Sequence, residues 1–183
     1  MRIRTERLAL RPFAAGDVDA LHALFVLPDV RRFLWDDVVV DRATVEGAVA
    51  ASEALVAERG YGLCLAHASD DGALVGFCGL RDFADPRAGG APRPELLYGL
   101  DPARWGRGYA FEAAVGVLGY AFDALGLDAV YAGTDPPNVR SRRVLDRLGF
   151  ARFERIEVGG LPADYGAVDA SGFARARAAA HLD

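Results

Sequence analysis

Lysine is absent from this chain of 183 residues, and cysteine, histidine, tryptophan and methionine are scarce. Each shortage excludes something. Two cysteines, Cys64 and Cys78, establish no disulfide framework, and they lack metal-ligand spacing. Both lie in apolar, strand-like runs and read as buried free thiols of a reducing compartment. The three histidines, His22, His67 and His181, are scattered and suggest neither a metal site nor a triad, so no metal is expected. Basic residues number 21 against 26 acidic ones, a net charge of −5, which argues against a nucleic-acid partner. No apolar run approaches the roughly 20 residues needed to span a bilayer, and MRIRTERLAL has no secretory h-region. No membrane partner and a cytoplasmic location are therefore expected.

What is present is enough apolar material for one core. With 52% hydrophobic residues, the chain is too short for two comfortable domains, and a single domain over residues 1–183 is expected. Arg7–Phe13 (RLALRPF) alternates like a first strand. Gly16-Asp17 caps a helix with Val18, Leu21, Leu24 and Phe25 on its apolar face. A short element, PDVRRFLW, follows from Pro28. Asp41 and Thr44 then open an Ala-rich helix to about Arg59, ending at Gly60. YGLCLAHA (61–68) and ALVGFCGLRDF (73–83) flank SDDG as a hairpin. ADPRAGGAPRP (84–94) reads as a mobile loop, the least structured stretch.

ELLYGLD (95–101) is another strand, and a helix from about Arg107 to Leu125 carries a stripe of Phe111, Val115, Leu118, Phe122 and Leu125. AVYAGT (129–134) is a strand, DPPN introduces a helix to Leu148 that stops at Gly149, and FARFERIEV (150–158) with ADYGAVDA (163–170) forms a closing antiparallel pair. The fold class is mixed α/β (α+β). It has a central, mostly antiparallel sheet of about seven strands, flanking helices, and a βαβ crossover at 95–134.

The connection DPARWGRGYAFEAA (101–114) holds the chemistry. The first turn of a helix has unpaired N–H groups and a partial positive charge. Gly106 and Gly108 remove side chains that would hold a ligand off those amides, so the segment suits a diphosphate. Arg104 and Arg107 add charge. A Rossmann fingerprint would need glycine where Phe111 stands, and a Walker loop would need Gly-Lys-Ser/Thr. The plain alternative is an ordinary glycine-containing turn.

Trp105–Ala110 (WGRGYA) resembles the coenzyme loop Q/R-x-x-G-x-G/A of the GCN5-related N-acetyltransferases. WGRGYAFEA is similar to the W-G-x-G-Y-A-x-E-A of their RimJ/RimL-like branch. Asn138–Phe150 (NVRSRRVLDRLGF) matches N-x-x-S-x-x-V-L-x-x-L-G-F, and TERLALR (5–11) matches the branch's opening T-E-R-L-x-L-R. The resemblance implies acetyl-coenzyme A as cosubstrate, with its diphosphate on the amides of Gly106, Arg107, Gly108 and Ala110 in the loop that Trp105 and Tyr109 complete. Its pantetheine would lie in a splay between the strands at 95–101 and 129–134. Backbone around Tyr98–Leu100 is the candidate for polarising the thioester carbonyl, a role typically worth about 2.7–4 kcal/mol per donor.

The resemblance also assigns roles. Asn138 touches the pantetheine besides capping its helix. The position of the usual Tyr acid is Leu145, which leaves Ser141 as proton donor or plain hydrogen-bond partner. Glu157 is the candidate base, with Glu95 for substrate or structural contacts; each could instead be a solvated strand residue or salt-bridge partner. Glu112 orients the loop, and Asp135 is a turn former. The expected activity is direct acetyl transfer in a ternary complex to a primary amine, foremost a protein or peptide N-terminal α-amine. A small-molecule amine is the alternative acceptor. A non-catalytic coenzyme-binding regulator and another kind of nucleotide-binding domain are the rivals. A homodimer is compatible with the branch.

Overall fold

The alternation in RLALRPF is that of a strand with one buried face. In the computed structural model, which describes residues 1–180, β1 (Ile3–Arg4) and β2 (Leu8–Pro12) pair antiparallel, with Leu8 and Leu10 buried. His181 lies outside the described residues. The chain divides into two compact units, Met1–Arg81 with Leu97–Val117, and Asp82–Leu96 with the chain from Leu118 on.

In the first unit three helices follow β2: α1 (Val18–Phe25), α2 (Pro28–Leu34) and α3 (Arg42–Arg59). Asp41 caps α3 by accepting from the Thr44 amide at 2.8 Å, and Gly60 ends it at φ 76°. Asp17 stands at the N-cap of α1 as expected, but its side chain makes no capping bond there. Its carboxylate is held by Arg11 at 2.7 Å and by the Ala14 amide at 2.8 Å, partners that outcompete the helix amides. The α1 stripe meets Phe13, Val45, Val49, Leu65 and Phe77 in one core.

β3 (Leu63–Ala68) and β4 (Leu74–Asp85) form the expected hairpin, with Cys64 opposite Cys78. The neighbour of β4 is β5 (Ala91–Leu100), giving the order β1-β2-β3-β4-β5. Its second half belongs to the first unit. A Cβ on Gly76 would fall 2.3 Å from the Gly99 carbonyl oxygen, so only glycine permits this backbone approach. The helix after it, α4 (Tyr109–Gly119), starts two residues later than expected, and Tyr120–Ala124 widens into a π-turn closed by Gly126 at φ 64°. Its buried positions are Ala113, Ala114, Val117 and Leu118, with Ala121 beyond. Of the expected stripe only Leu118 is buried; small alanines, which allow close packing, take the core face.

The second unit begins with an ordered reversal where a mobile loop was expected. β4 runs on to Asp85, Pro86–Ala88 make one 3₁₀ turn, and Gly89 and Gly90 at φ 63° and 83° bring the chain back into β5. Asp85 fixes the turn by accepting from the Arg87 amide at 2.9 Å. β6 (Ala129–Thr134), β7 (Ala151–Val158) and β8 (Leu161–Asp169) complete the order β5-β6-β8-β7. β5 and β6 are parallel, in register at Glu95 opposite Tyr131. β6–β8 and β7–β8 are antiparallel. The sheet has eight strands, the short β1 being the addition to the expected seven. α5 (Val139–Arg147) ends before Gly149 at φ 88°. An unexpected α6 (Ala170–Ala180) follows, capped by Asp169, which accepts from the Gly172 amide at 2.7 Å.

Candidate active site

The first unit presents the glycine turn. Asp101 accepts from the Ala103 amide at 2.9 Å and opens a 3₁₀ turn over Pro102–Arg104. The Trp105 indole N–H then donates to the Leu100 carbonyl at 2.9 Å, tying the turn to the end of β5. Leu100 itself is buried, so both residues brace the loop. Gly106 and Gly108 follow at φ 74° and 80°, the left-handed region that glycine enters without a Cβ penalty. A Cβ on Gly106 would meet nothing within 4 Å, so the space above this backbone is open. Gly106, Arg107 and Gly108 are exposed, Tyr109 is buried and Ala110 half-buried.

Glu112 stands in the first turn of α4, where its charge would oppose a second anion. The TERLALR segment answers it. Thr5 Oγ1 donates to Glu112 Oε1 at 2.6 Å, the Arg7 amide does so at 2.7 Å, and Arg7 NH2 meets Oε2 at 2.6 Å. Arg7 also donates to the Arg107 carbonyl at 3.0 Å and lies 4.8 Å over the Tyr109 ring. Burial pushes the Glu112 carboxyl up, but the bonds from Thr5 and Arg7 outweigh it and hold the group below the usual range. Two of the sequence motifs thus meet in one latch, which neutralises Glu112 beside the helix-start amides and the exposed Arg107. The turn fits the diphosphate of a coenzyme on these grounds.

The second unit carries the other candidates. Asn138 is the N-cap of α5, its side-chain oxygen accepting from the Ser141 amide at 3.2 Å. Ser141 is half-buried, and Leu145, at 1% exposure, is core. Glu95 is 4% exposed. Its Oε1 lies 3.4 Å from where a Gly133 Cβ would stand, with the Tyr165 ring 3.2 Å from the same point. Glycine at 133 therefore makes the notch that this carboxylate and ring share. Glu157 is exposed, opposite Pro162 near the Gly159-Gly160 end of the β7–β8 hairpin. It lies three strands from Glu95 across the sheet, roughly 14 Å, so the two carboxylates do not converge on one atom.

Three features went unforeseen. The Thr134 hydroxyl, at the end of β6 before the DPPN turn, is buried with no hydrogen-bond partner among the described residues. Tyr131 stacks on Tyr165 at 6.0 Å, and Phe83 meets Tyr165 at 4.8 Å, making an aromatic floor beside Glu95. Arg93 lies 5.1 Å over Tyr131. Alternation in ELLYGLD and AVYAGT could have put Glu95 and Tyr131 on strand faces, but not on the same one. Burial pushes the Cys64 thiol up to about 12 and the fully buried Cys78 thiol well above its ordinary value, so neither is poised as a nucleophile.

A strand-to-helix glycine turn with open amides is a site for the diphosphate of a coenzyme or nucleotide. The family model "Acetyltransferase (GNAT) domain" matches residues 7–151, and the chain belongs to this family of acyltransferases. The uncharacterized N-acetyltransferase p20 of Bacillus licheniformis is 27% identical over 148 residues, 81% of each chain. An acetyltransferase from Agrobacterium tumefaciens superposes with a TM-score of 0.77 at 25% identity, covering 92% of this chain and 94% of that one. RimL, a ribosomal L7/L12 α-N-protein acetyltransferase solved with coenzyme A, has a TM-score of 0.74 at 19% identity over 92% and 98%. Among the described residues no helix is long and apolar enough to cross a membrane, and no group of three or more His, Cys, Asp or Glu is placed to hold a metal.

Proposed function

We propose that this protein transfers the acetyl group of acetyl-coenzyme A to a primary amine, specifically a protein or peptide N-terminal α-amine, by direct attack in a ternary complex. The open Gly106–Gly108 turn, latched by Arg7 and Glu112, is the observation that carries the reading. RimL, a relative in fold with an α-amine substrate by name, supports the acceptor class and the RimJ/RimL-like branch. Residues 1–183 act as one catalytic domain, and the two buried free thiols suit a reducing cytoplasm.

The coenzyme, when bound, supplies the acyl thioester. The amides of Gly106, Arg107, Gly108 and Ala110 take its diphosphate. Trp105 and Tyr109 hold the turn in shape, the Leu100 end of β5 aims backbone at the acyl oxygen, and Asn138 borders the pantetheine. The acceptor arrives as an ammonium and must lose one proton before its lone pair can attack. We assign that proton to Glu95, buried and beside the aromatic floor, in place of the solvated Glu157. The carbon–nitrogen bond forms as the carbon–sulfur bond breaks. The nitrogen's second proton ends on the leaving sulfur, to which we assign a hydrogen bond from the Ser141 hydroxyl.

Thermal unfolding with acetyl-coenzyme A, coenzyme A, ATP and NAD tests the site. A ligand at ~100 times its Kd stabilises by ~2.7 kcal/mol. Only the two coenzyme A species should raise the midpoint, and Gly106→Val, which fills the open space with a side chain at φ 74°, should abolish the rise. Equal shifts with ATP or NAD, or a full shift in the variant, would remove the proposal. Thiol release with a peptide panel then tests the acceptor class; turnover with small amines and not with peptides would replace the N-terminal α-amine by the small-molecule alternative.

A further inference from the structure

The sheet face that holds Glu95 also holds Arg93, a cation that forms no ion pair among the described residues, although its charge reaches Asp85. Glu95 and Tyr131 are register partners across β5 and β6, Gly133 and Tyr165 across β6 and β8, and all four share that face. Arg93 is two residues before Glu95 on the same strand and stacks over the same Tyr131. The other charges nearby are matched. Asp85 is bound by Arg87 at 2.9 Å, Arg87 also holds Glu154 at 3.0 Å, and Arg155 holds Asp164 at 2.6 Å. Arg93 makes no ion pair among the described residues, and its Nε is buried without a hydrogen-bond partner.

A guanidinium held over an aromatic ring loses less freedom when its rigid fork of donors takes a carboxylate. Two residues of strand place Arg93 and Glu95 roughly 6–7 Å apart along β5. Two side chains that start this close on one strand face can serve the two ends of one small zwitterion, its amine at the carboxylate and its carboxylate at the guanidinium. We infer that Arg93 selects acceptors that carry a carboxylate a few bonds from the amine to be acetylated. Arg93 stacked on Tyr131, beside Glu95 in the Gly133 notch, is the site. The inference rests on the reading of Glu95 as the amine's partner and names the substrate class of that site. Two sources share the chemistry: the side chain of an acidic first residue in a peptide, and the α-carboxylate of a free amino acid.

The test uses acceptors that differ in one group. A Glu-initiated tetrapeptide is compared with its Gln-initiated counterpart, and free glutamine with glutamine amide. Each is measured for kcat/KM by thiol release and for binding by calorimetry, in wild type and in Arg93→Gln and Arg93→Lys. In at least one pair the carboxylate should be favoured tenfold or more, in rate and in Kd. Arg93→Gln should erase the preference while changing the neutral acceptor less than threefold, and Arg93→Lys should restore part of it. The pair that shows the effect identifies the source. Equal treatment of both members of both pairs by the wild type overturns the inference, as does an Arg93→Gln variant that weakens charged and neutral acceptors alike. Transfer without preference would sink the inference and leave the acetyltransferase reading standing. Arg93-dependent binding without transfer would do the reverse.

Discussion

The glycine turn and the Glu95 face set their carboxylates in different surroundings. In the turn, Glu112 is saturated: Thr5 and Arg7 fill both its oxygens, and the glycine backbone and Arg107 stay open to solvent. On the face, Glu95 sits at 4% exposure in a glycine-made notch, with an aromatic floor and an arginine that has no ion-pair partner among the described residues. One region neutralises its carboxylate beside exposed main-chain amides; the other buries its carboxylate beside aromatic rings. The difference matches what each is proposed to do, since holding a diphosphate needs fixed dipoles and moving a proton needs a titratable group.

The comparison breaks most visibly at Glu95. Glu95→Gln keeps the size and removes the proton acceptor, and a positioned general base contributes about 10²–10⁴-fold. We expect kcat to fall within that range while acetyl-coenzyme A still raises the unfolding midpoint as in the wild type. A fall under tenfold would move the base elsewhere. Glu112→Gln, in contrast, should show itself in stability. Losing the charge-assisted bonds from Thr5 and Arg7 costs about 1–2 kcal/mol, at the low end because Arg7 is partly exposed.

The pH dependence of that loss has a definite sign. The Glu112 carboxyl is depressed in the folded state, so its contribution is fully present above the unfolded value of about 4.3 and disappears as pH falls through the folded one. The gap between wild type and Glu112→Gln in denaturant midpoint should be constant from pH 5 to 8, to within about 0.3 kcal/mol, and close on acidification below about pH 4. A gap that widens in acid would mean that the latch is not ionic.

The same contrast explains what could be read from the chain. The turn was legible because its parts are local: Gly106, Gly108 and the helix start lie within a few residues, and their physics follows from backbone geometry. Its latch was not, since nothing in TERLALR shows that Thr5 and Arg7 reach across more than a hundred residues to Glu112. The Glu95 face was read least, because Phe83, Arg93, Tyr131, Gly133 and Tyr165 come together only through strand register. Helix burial failed for a related reason. Large side chains at 111, 115 and 122 spelled a stripe, but the packing partner admitted the alanines at 113, 114 and 121. The stretch 84–94 misled because Gly and Pro mark a tight, fixed reversal as readily as a loose one.

Asn138 sharpens the comparison at smaller scale, because it is both a cap and a proposed ligand contact. Asn138→Ala should cost about 1 kcal/mol of stability through the lost bond to the Ser141 amide. Asn138→Asp keeps the cap, so its stability should stay near wild type. If acetyl-coenzyme A affinity nevertheless falls in Asn138→Asp, the amide nitrogen touches the ligand; unchanged affinity would confine Asn138 to capping.

Glu157→Gln should do least of all. The residue is exposed and lies near the end of a hairpin. Surface changes away from packed or hydrogen-bonded features usually stay within about 0.5 kcal/mol. Since Glu157 stands three strands from Glu95, no acceptor nitrogen held by one can be deprotonated directly by the other. The pair of variants is therefore exclusive in outcome. A deep loss of kcat in Glu157→Gln with near-normal turnover in Glu95→Gln would move the chemistry to the hairpin and strip the Glu95 face of its catalytic role. The reverse pattern, with Glu157→Gln within twofold of wild type, ties proton removal to the buried carboxylate in the Gly133 notch.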